Sequence, residues 1–174
     1  MKDSGFVVAD ADLGRFTTLY GEGAQGLVVA ETAGHSDYRD KARLLDGGGA
    51  IAGTADDYLR FARMLANDGA LDGAHILSKT SVDAMFTPRV PIAGLGPEGA
   101  QFGYGFALGD AASEAQGGLP AGAASWAGSG NTYFFVDRKR RAAALVMTHF
   151  LGSGAGQQAV RSALTAAYSQ LVID

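Results

Sequence analysis

The residues best placed for chemistry stand in one short stretch, Ser125-Trp126-Ala127-Gly128-Ser129-Gly130-Asn131. Gly128 has no Cβ, so a ligand can come close to the backbone there, and Trp126 offers an apolar face with a single N–H. The run from Asn131 to Val136 is aromatic and β-branched with apolar residues on both sides, the pattern of a buried strand. A polar strand end leading into a buried strand makes a firm wall for a binding cleft. Other chemistries find less support. The chain has no cysteine, which excludes thiol catalysis, disulfides and zinc–thiolate sites. His35, His75 and His149 fall in a glycine loop, a turn and a strand end. Asp56, Asp57 or Asp137 would have to orient one of them, and no Gly-x-Ser-x-Gly elbow accompanies them, so surface or structural roles are expected for all three. No His-x3-His or Glu-x-x-His spacing is present, and no metal is expected. Gly47-Gly48-Gly49 lacks the Gly-Lys-Ser/Thr of a phosphate cradle and reads as close backbone packing. Gly152-Ser153-Gly154-Ala155-Gly156 follows a strand and precedes a helix, but departs from G-x-G-x-x-G and has no second parallel strand after it, so no cofactor is expected.

The elements that must position this stretch fit one domain. With 174 residues and 47% hydrophobic content the chain is long enough for one ordinary core, and no apolar run approaches the ~20 residues of a membrane span. Fourteen basic against 18 acidic residues give a net charge of −4, which argues against a nucleic-acid partner. The one basic run, Arg138 to Arg141, reads as a solvated hairpin tip and edge protection. The opening MKDSGFVV has no basic segment followed by an apolar core, so no signal peptide is visible and the compartment stays unassigned. Its turn-like composition reads as an entry in mid-architecture.

Along the chain, Leu13, Phe16, Leu19 and Tyr20 are spaced as on a short helix, and Gly26 to Glu31 reads as a strand. Thr54 should cap a helix, with Asp57 returning the bond; Tyr58, Phe61, Ala62 and Leu65 share one face until Gly69 stops it. A second helix should start at Ser78 and end before Pro88, with Val82, Met85 and Phe86 inward. Pro91 to Gly99 reads as a loop. Phe102-Gly103-Tyr104-Gly105-Phe106 reads as a strand approached closely by backbone or ligand, and Asp110 to Gly122 as a long loop. Three antiparallel strands, Ala123 to Gly128, Asn131 to Val136 and Ala142 to Phe150, should follow, the last two joined by a hairpin at Asp137-Arg138-Lys139-Arg140-Arg141. A helix from about Gln157 to Val172 should bury Val160, Ala163, Leu164, Ala167 and Leu171. The class is α+β, with residues 1–100 helical and loop-rich and 101–174 carrying the antiparallel strands and terminal helix.

Several segments in this order resemble the serine β-lactamase and penicillin-binding-protein-like superfamily, especially its class C-like and family VIII esterase members. They are Met1-Lys2-Asp3-Ser4-Gly5-Phe6, the stretch GGGAIAGTADDYLRFARMLANDGALDG from Gly47 to Gly73, HILSKTSVDAM from His75 to Met85, FGYGF from Phe102 to Phe106, and SWAGSGNTYFFVD from Ser125 to Asp137. The resemblance implies a β-lactamase/transpeptidase-like fold and a hydrolase in which a serine attacks an acyl carbon, leaving an acyl-enzyme that water cleaves. Family members use Ser-x-x-Lys for nucleophile and base, Tyr-x-Asn or Ser-x-Asn for proton transfer, and Lys-Thr-Gly on a facing strand. In the esterase-like branch the third motif is often Trp-x-Gly, as Trp126-Ala127-Gly128 reads here, and the backbone N–H of Ser129 would be one oxyanion donor. Trp126 in place of lysine tilts the expectation toward neutral esters rather than carboxylate-bearing β-lactams. Tyr104 and Phe106 are expected on the apolar wall of the cleft.

The chain departs from the family at its nucleophile. Of the four lysines, Lys41, Lys79 and Lys139 follow Tyr38, Ile76 and Val136 by three residues and Lys2 stands too near the start, so no Ser-x-x-Lys occurs. No Tyr-x-Asn occurs either, and Ser129-Gly130-Asn131 sits directly after the third motif rather than far upstream. The resemblance therefore implies the carboxy-terminal portion of a single domain whose amino-terminal part is missing, with no catalytic residue of its own. The expected partner is a small acyl substrate. A missing amino-terminal half, or self-association, is expected at the strand edge left exposed along Ala142 to Phe150. Two other readings stay open: a truncated non-catalytic module for ligand binding or assembly, and a fragment of a β-lactamase or D,D-peptidase.

Overall fold

The computed structural model describes residues 1–91, 101–152 and 154–171. In chain order the elements are strands β1 (Leu19–Gly23) and β2 (Gly26–Glu31), helix α1 (Ala55–Ala66), the small hairpin β3 (Ala70–Leu71) and β4 (Ala74–His75), and helix α2 (Lys79–Met85). Then come β5 (Val90–Pro91), β6 (Gln101–Phe102), β7 (Ala107–Leu108), a short helix α3 (Ala111–Ala115) and β8 (Ala124–Ala127). The chain continues with β9 (Tyr133–Asp137), β10 (Ala142–Val146), β11 (Phe150–Leu151) and α4 (Gly154–Leu171). Strands β5 to β10 form one antiparallel sheet in sequence order, and a second sheet has the order β11-β1-β2.

The core is built on β9, which is buried along its whole length. Alternate side chains of a strand point to opposite faces, and both faces of β9 are covered. Phe134 and Val136 pack with Ala62 and Leu65 of α1, Val82 of α2 and Phe106. Tyr133 and Phe135 pack with Tyr168 of α4, flanked by Val160 and Leu164. Phe135, Leu65, Val82 and Val136 are the largest fully buried side chains, each worth about 1.5–3 kcal/mol in transfer free energy.

Helix α1 starts where its cap predicts. The Thr54 hydroxyl accepts from the Asp57 N–H at 3.3 Å. Asp57 does not return the bond: its carboxylate accepts instead from the backbone N–H groups of Lys2 (3.1 Å) and Asp3 (2.7 Å) and from the Ser4 hydroxyl (2.9 Å). The amino-terminal segment is thereby tied to the first turn of α1, and a bridge between Gly5 and Ala52 extends the junction. Burial pushes the Asp57 carboxyl up, but the Asp3 N–H, the Ser4 hydroxyl and the Lys2 N–H outweigh it and hold the group below the usual carboxylate range. Gly69, at φ +97°, ends the helix region with its N–H donating to Met64 O at 2.9 Å. Helix α2 is capped by Ser78, whose Oγ accepts from the Ser81 N–H at 3.0 Å.

Tertiary pairing overrides several local expectations. The spacing of Leu13, Phe16, Leu19 and Tyr20 yields only a 3-10 turn, Asp10–Arg15, because Leu19 and Tyr20 are taken into β1 between β2 and β11. Phe102 to Phe106 is a hairpin rather than one strand, with β6 and β7 paired and the chain reversing at Gly105, φ +88°. The strand expected over Ala142 to Phe150 ends at Val146, and Phe150–Leu151 crosses to pair in parallel with β1. The loop from Asp110 to Gly122 contains α3, capped by the Asp110 carboxylate on the Ser113 N–H at 2.7 Å. On α4 the buried stripe is rotated: Ala163 and Ala167 are exposed while Thr165 and Tyr168 are buried. The Tyr168 ring sets that rotation by standing edge-on to Phe135 at 4.8 Å. The Leu171 side chain, Val172 and the expected Pro91 to Gly99 loop beyond Pro91 lie outside the described residues. Arg138 is not a free hairpin charge: it pairs with Asp68 and Asp83 and lies 5.0 Å over the Phe86 ring.

Candidate active site

Strand β8 brings the predicted stretch to the end of the large sheet, with Trp126 opposite Phe134 and Ala127 opposite Tyr133. The chain then turns tightly. The Gly128 N–H donates to Thr132 O (3.0 Å) and the Asn131 N–H to Gly128 O (3.1 Å). Asn131 takes a left-handed conformation, φ +58°, which Asn tolerates better than most side chains. Its Nδ2 donates to Phe150 O at 2.8 Å, and the Thr148 hydroxyl lies 2.9 and 2.8 Å from the carbonyl oxygens of Gly130 and Asn131. Within this pinned turn the Ser129 N–H has no acceptor among the described residues, and Ser129 is exposed. A fixed, unspent backbone donor beside a glycine is what stabilisation of a developing oxyanion requires.

A cavity of about 140 Å³ opens beside the turn, lined by Tyr58, Trp126, Gly128, Thr132, Phe134 and Met147, among others. Trp126 is 40% exposed and stands edge-on to Phe102 at 4.9 Å. Tyr58, from the first turn of α1, stands edge-on to Phe134 at 4.9 Å, and burial pushes its hydroxyl up, so the phenol stays neutral near pH 7. Apolar cavities of roughly 150 Å³ admit a benzene-sized guest, so this space suits a short apolar chain. A Cβ on Gly128 would lie 2.5 Å from Thr132 Oγ1, and only glycine leaves that approach open.

The residues expected on the apolar wall separate. Tyr104 is 57% exposed at the β6–β7 turn, with the Arg89 guanidinium 4.9 Å over its ring. Phe106 is 6% exposed and sits in the core between Phe86 (6.1 Å) and Phe134 (5.8 Å), behind the wall rather than on it. Phe102 is the aromatic that touches Trp126. Sequence reasoning placed Tyr58 on the inward face of its helix and missed its position at the cavity. Thr132, Met147 and Phe102 were missed as well; the first two stand just beyond the ends of β9 and β10.

Outside this turn, several other groups that invite a chemical reading are occupied. The Asp46 carboxylate accepts from the N–H groups of Gly48 (2.8 Å) and Gly49 (3.1 Å), taking the donors a phosphate would need. Asp137 accepts from the Tyr168 hydroxyl (3.1 Å), Arg140 Nη1 (2.9 Å) and the Arg140 N–H (3.1 Å). Burial, together with that carboxylate, pushes the Tyr168 hydroxyl up to about 12. His35 contacts Thr32 Oγ1. His75 lines an open groove of about 430 Å³ with Asn67, Asp68 and Lys79; there Lys79 pairs with Asp83 and Asp68 with Arg138.

Comparison with known proteins gives three findings. A family model described as beta-lactamase matches residues 1–168. Protein Rv1367c of Mycobacterium tuberculosis is 38% identical over 90 residues, 52% of this chain and 22% of that protein. Among solved structures, simvastatin synthase LovD from Aspergillus terreus superposes with a TM-score of 0.78 at 15% identity, over 100% of this chain and 48% of that one. EstCE1, a hydrolase with promiscuous acyltransferase activity, gives 0.76 at 21% identity over 95% and 47%. The octameric penicillin-binding-protein homologue of Pyrococcus abyssi gives 0.67 at 16% identity over 99% and 34%. The chain thus spans half or less of the length of each of these relatives.

Proposed function

From the chain's membership of the beta-lactamase family, to which it belongs over residues 1–168 and whose β-lactamase/transpeptidase-like fold it has, we propose that it forms the oxyanion and acyl-binding side of a serine esterase. The observation that carries this reading is the Ser129 N–H, fixed by the Gly128–Thr132 turn, without an acceptor among the described residues, and open beside the Trp126 cavity. Trp126 and Gly128 line the substrate, and Tyr104 and Phe106 belong to its outer rim and its backing. The substrate is a small neutral ester. A serine outside these residues attacks its carbonyl carbon, the charge developing on oxygen is met by the Ser129 N–H, and the alcohol leaves with a proton as the acyl-enzyme forms. Water then cleaves the acyl-enzyme and releases the acid. Trp126 supplies no cation for a β-lactam carboxylate, which favours ester over β-lactam.

A p-nitrophenyl butyrate assay on this chain alone, and on a polypeptide in which a Ser-x-x-Lys-bearing half precedes residue 1, tests the proposal. The isolated chain should be inert and the longer polypeptide active. In the active form Ser129→Ala should stay within a few-fold, because the donor is backbone, while Ser129→Pro should lower kcat by about 10²–10³. Turnover by the isolated chain, or full activity of Ser129→Pro, would overturn it. A second reading, a binding or assembly module, has its own support in surface: β10 pairs only with β9 among the described strands, and Leu27, Val28 and Val29 on β2 are 68, 50 and 58% exposed.

A further inference from the structure

The structure assigns a further residue to this site: we propose that His149 Nε2 is the hydrogen-bond acceptor that selects esters bearing a hydroxyl on the acyl chain. The inference rests on the esterase reading above and deepens it. Three observations carry it, beginning with how the imidazole is held. His149 Nδ1 lies 2.7 Å from Thr17 Oγ1 and 3.1 Å from Thr17 O, and the ring meets Phe16 edge-on at 6.3 Å. The backbone is fixed too, since the Tyr20 N–H donates to His149 O at 3.0 Å.

The second is the tautomer. A carbonyl oxygen only accepts, so the tautomer with the proton on Nδ1 is the one that satisfies both Thr17 contacts, donating to Thr17 O and Oγ1. Nε2 then carries a lone pair, and it has no partner among the described residues. The third is position. Met147, two residues before His149, lines the cavity. Its Cδ2, bonded to Nε2, lies 3.7 Å from where a Cβ of Gly130 would stand. Gly130 directly follows Ser129, so the free acceptor on His149 and the free donor on Ser129 border the same turn. An ester held by its carbonyl on the Ser129 N–H, with a hydroxyl a few bonds along the acyl chain, engages both. A hydrogen bond of this kind, made by the hydroxy ester and not by the analogue lacking the hydroxyl, favours the former.

The experiment uses the full 174-residue chain, which needs no turnover, and reads backbone amide and imidazole nitrogen shifts by NMR while ethyl butyrate or ethyl 3-hydroxybutyrate is added. Both esters should move the Ser129 amide. Only the hydroxy ester should move His149 Nε2, and it should bind about tenfold more tightly. His149→Asn, which keeps a group at the Nδ1 position, should abolish the preference; His149→Gln, which places an acceptor near Nε2, should restore most of it. Equal affinity for the two esters with Ser129 responding to both, or a proton found on Nε2 rather than Nδ1, would overturn the assignment of His149 while leaving the esterase reading intact. A Ser129 amide that responds to neither ester would overturn the esterase reading itself.

Discussion

At the scale of single residues, the site depends on what is missing as much as on what is present. The space over Gly128 exists because no Cβ fills it. Gly128→Ala would press a methyl group against Thr132 Oγ1, 2.5 Å from the ideal Cβ position, and the hydroxyl would have to give way. We expect the fold to lose about 1–3 kcal/mol, the scale of other overpacked sites, and ester binding at the Ser129 amide to weaken at least tenfold; urea denaturation and amide shifts measure the two separately. A variant of unchanged affinity would mean that ligand does not pass over Gly128. The Trp126-Ala127-Gly128 pattern was legible in sequence because motif spacing along one strand is local. Phe102 against Trp126 was not, since that contact depends on how β6 and β8 are set across β7. Phe106 was assigned to the wall by alternation with glycine, but the reversal at Gly105 turns its ring into the core.

At the scale of elements, the junction between the amino-terminal segment and α1 is electrostatic. Asp57 has a folded-state pKa below its unfolded value of about 3.9. Its contribution to stability is therefore present above about pH 4 and lost as the pH falls through the folded value. Asp57→Asn should lower the urea midpoint at pH 7, and the gap to the parent chain should narrow as the pH falls below about 4 and through the folded value; a gap that does not change with pH would show that the carboxylate charge does not matter. Helices α1 and α2 were legible because Thr54, Ser78 and the apolar stripe agree on where each begins and which face is buried. The bond returned by Asp57 was not, because its donors are more than 50 residues away in sequence. The rotation of α4 escaped for a related reason: apolar periodicity ranked Ala163 and Ala167 with Leu164, whereas the large ring of Tyr168 decides which stripe faces Phe135.

At the scale of the whole molecule, apolar surface is left uncovered on β2, and β10 has β9 as its only paired strand among the described residues. Replacing Leu27 and Val29 together by lysine should raise the concentration at which the chain stays monomeric in sedimentation velocity, with stability unchanged to within about 0.5 kcal/mol. In a polypeptide carrying both halves the same pair should be markedly destabilising if that half covers β2. Identical behaviour in both backgrounds would mean that the strand faces solvent in each. Class and the antiparallel succession of the last three strands of the large sheet were legible from the patterns at the end of the chain; the second sheet was not, because its pairing joins Tyr20 to Phe150. That parallel pairing has a kinetic consequence. A contact spanning some 130 residues is among the last a chain can make, since a long loop must close before anything is gained. During synthesis at about 5–20 residues per second, β1 and β2 leave the ribosome on the order of ten seconds before β11 exists to join them. For that interval Leu27, Val28 and Val29 are displayed on a ladder with two open edges, and the nascent chain is most exposed to capture by a chaperone, or by another copy of itself, well before its cleft has formed.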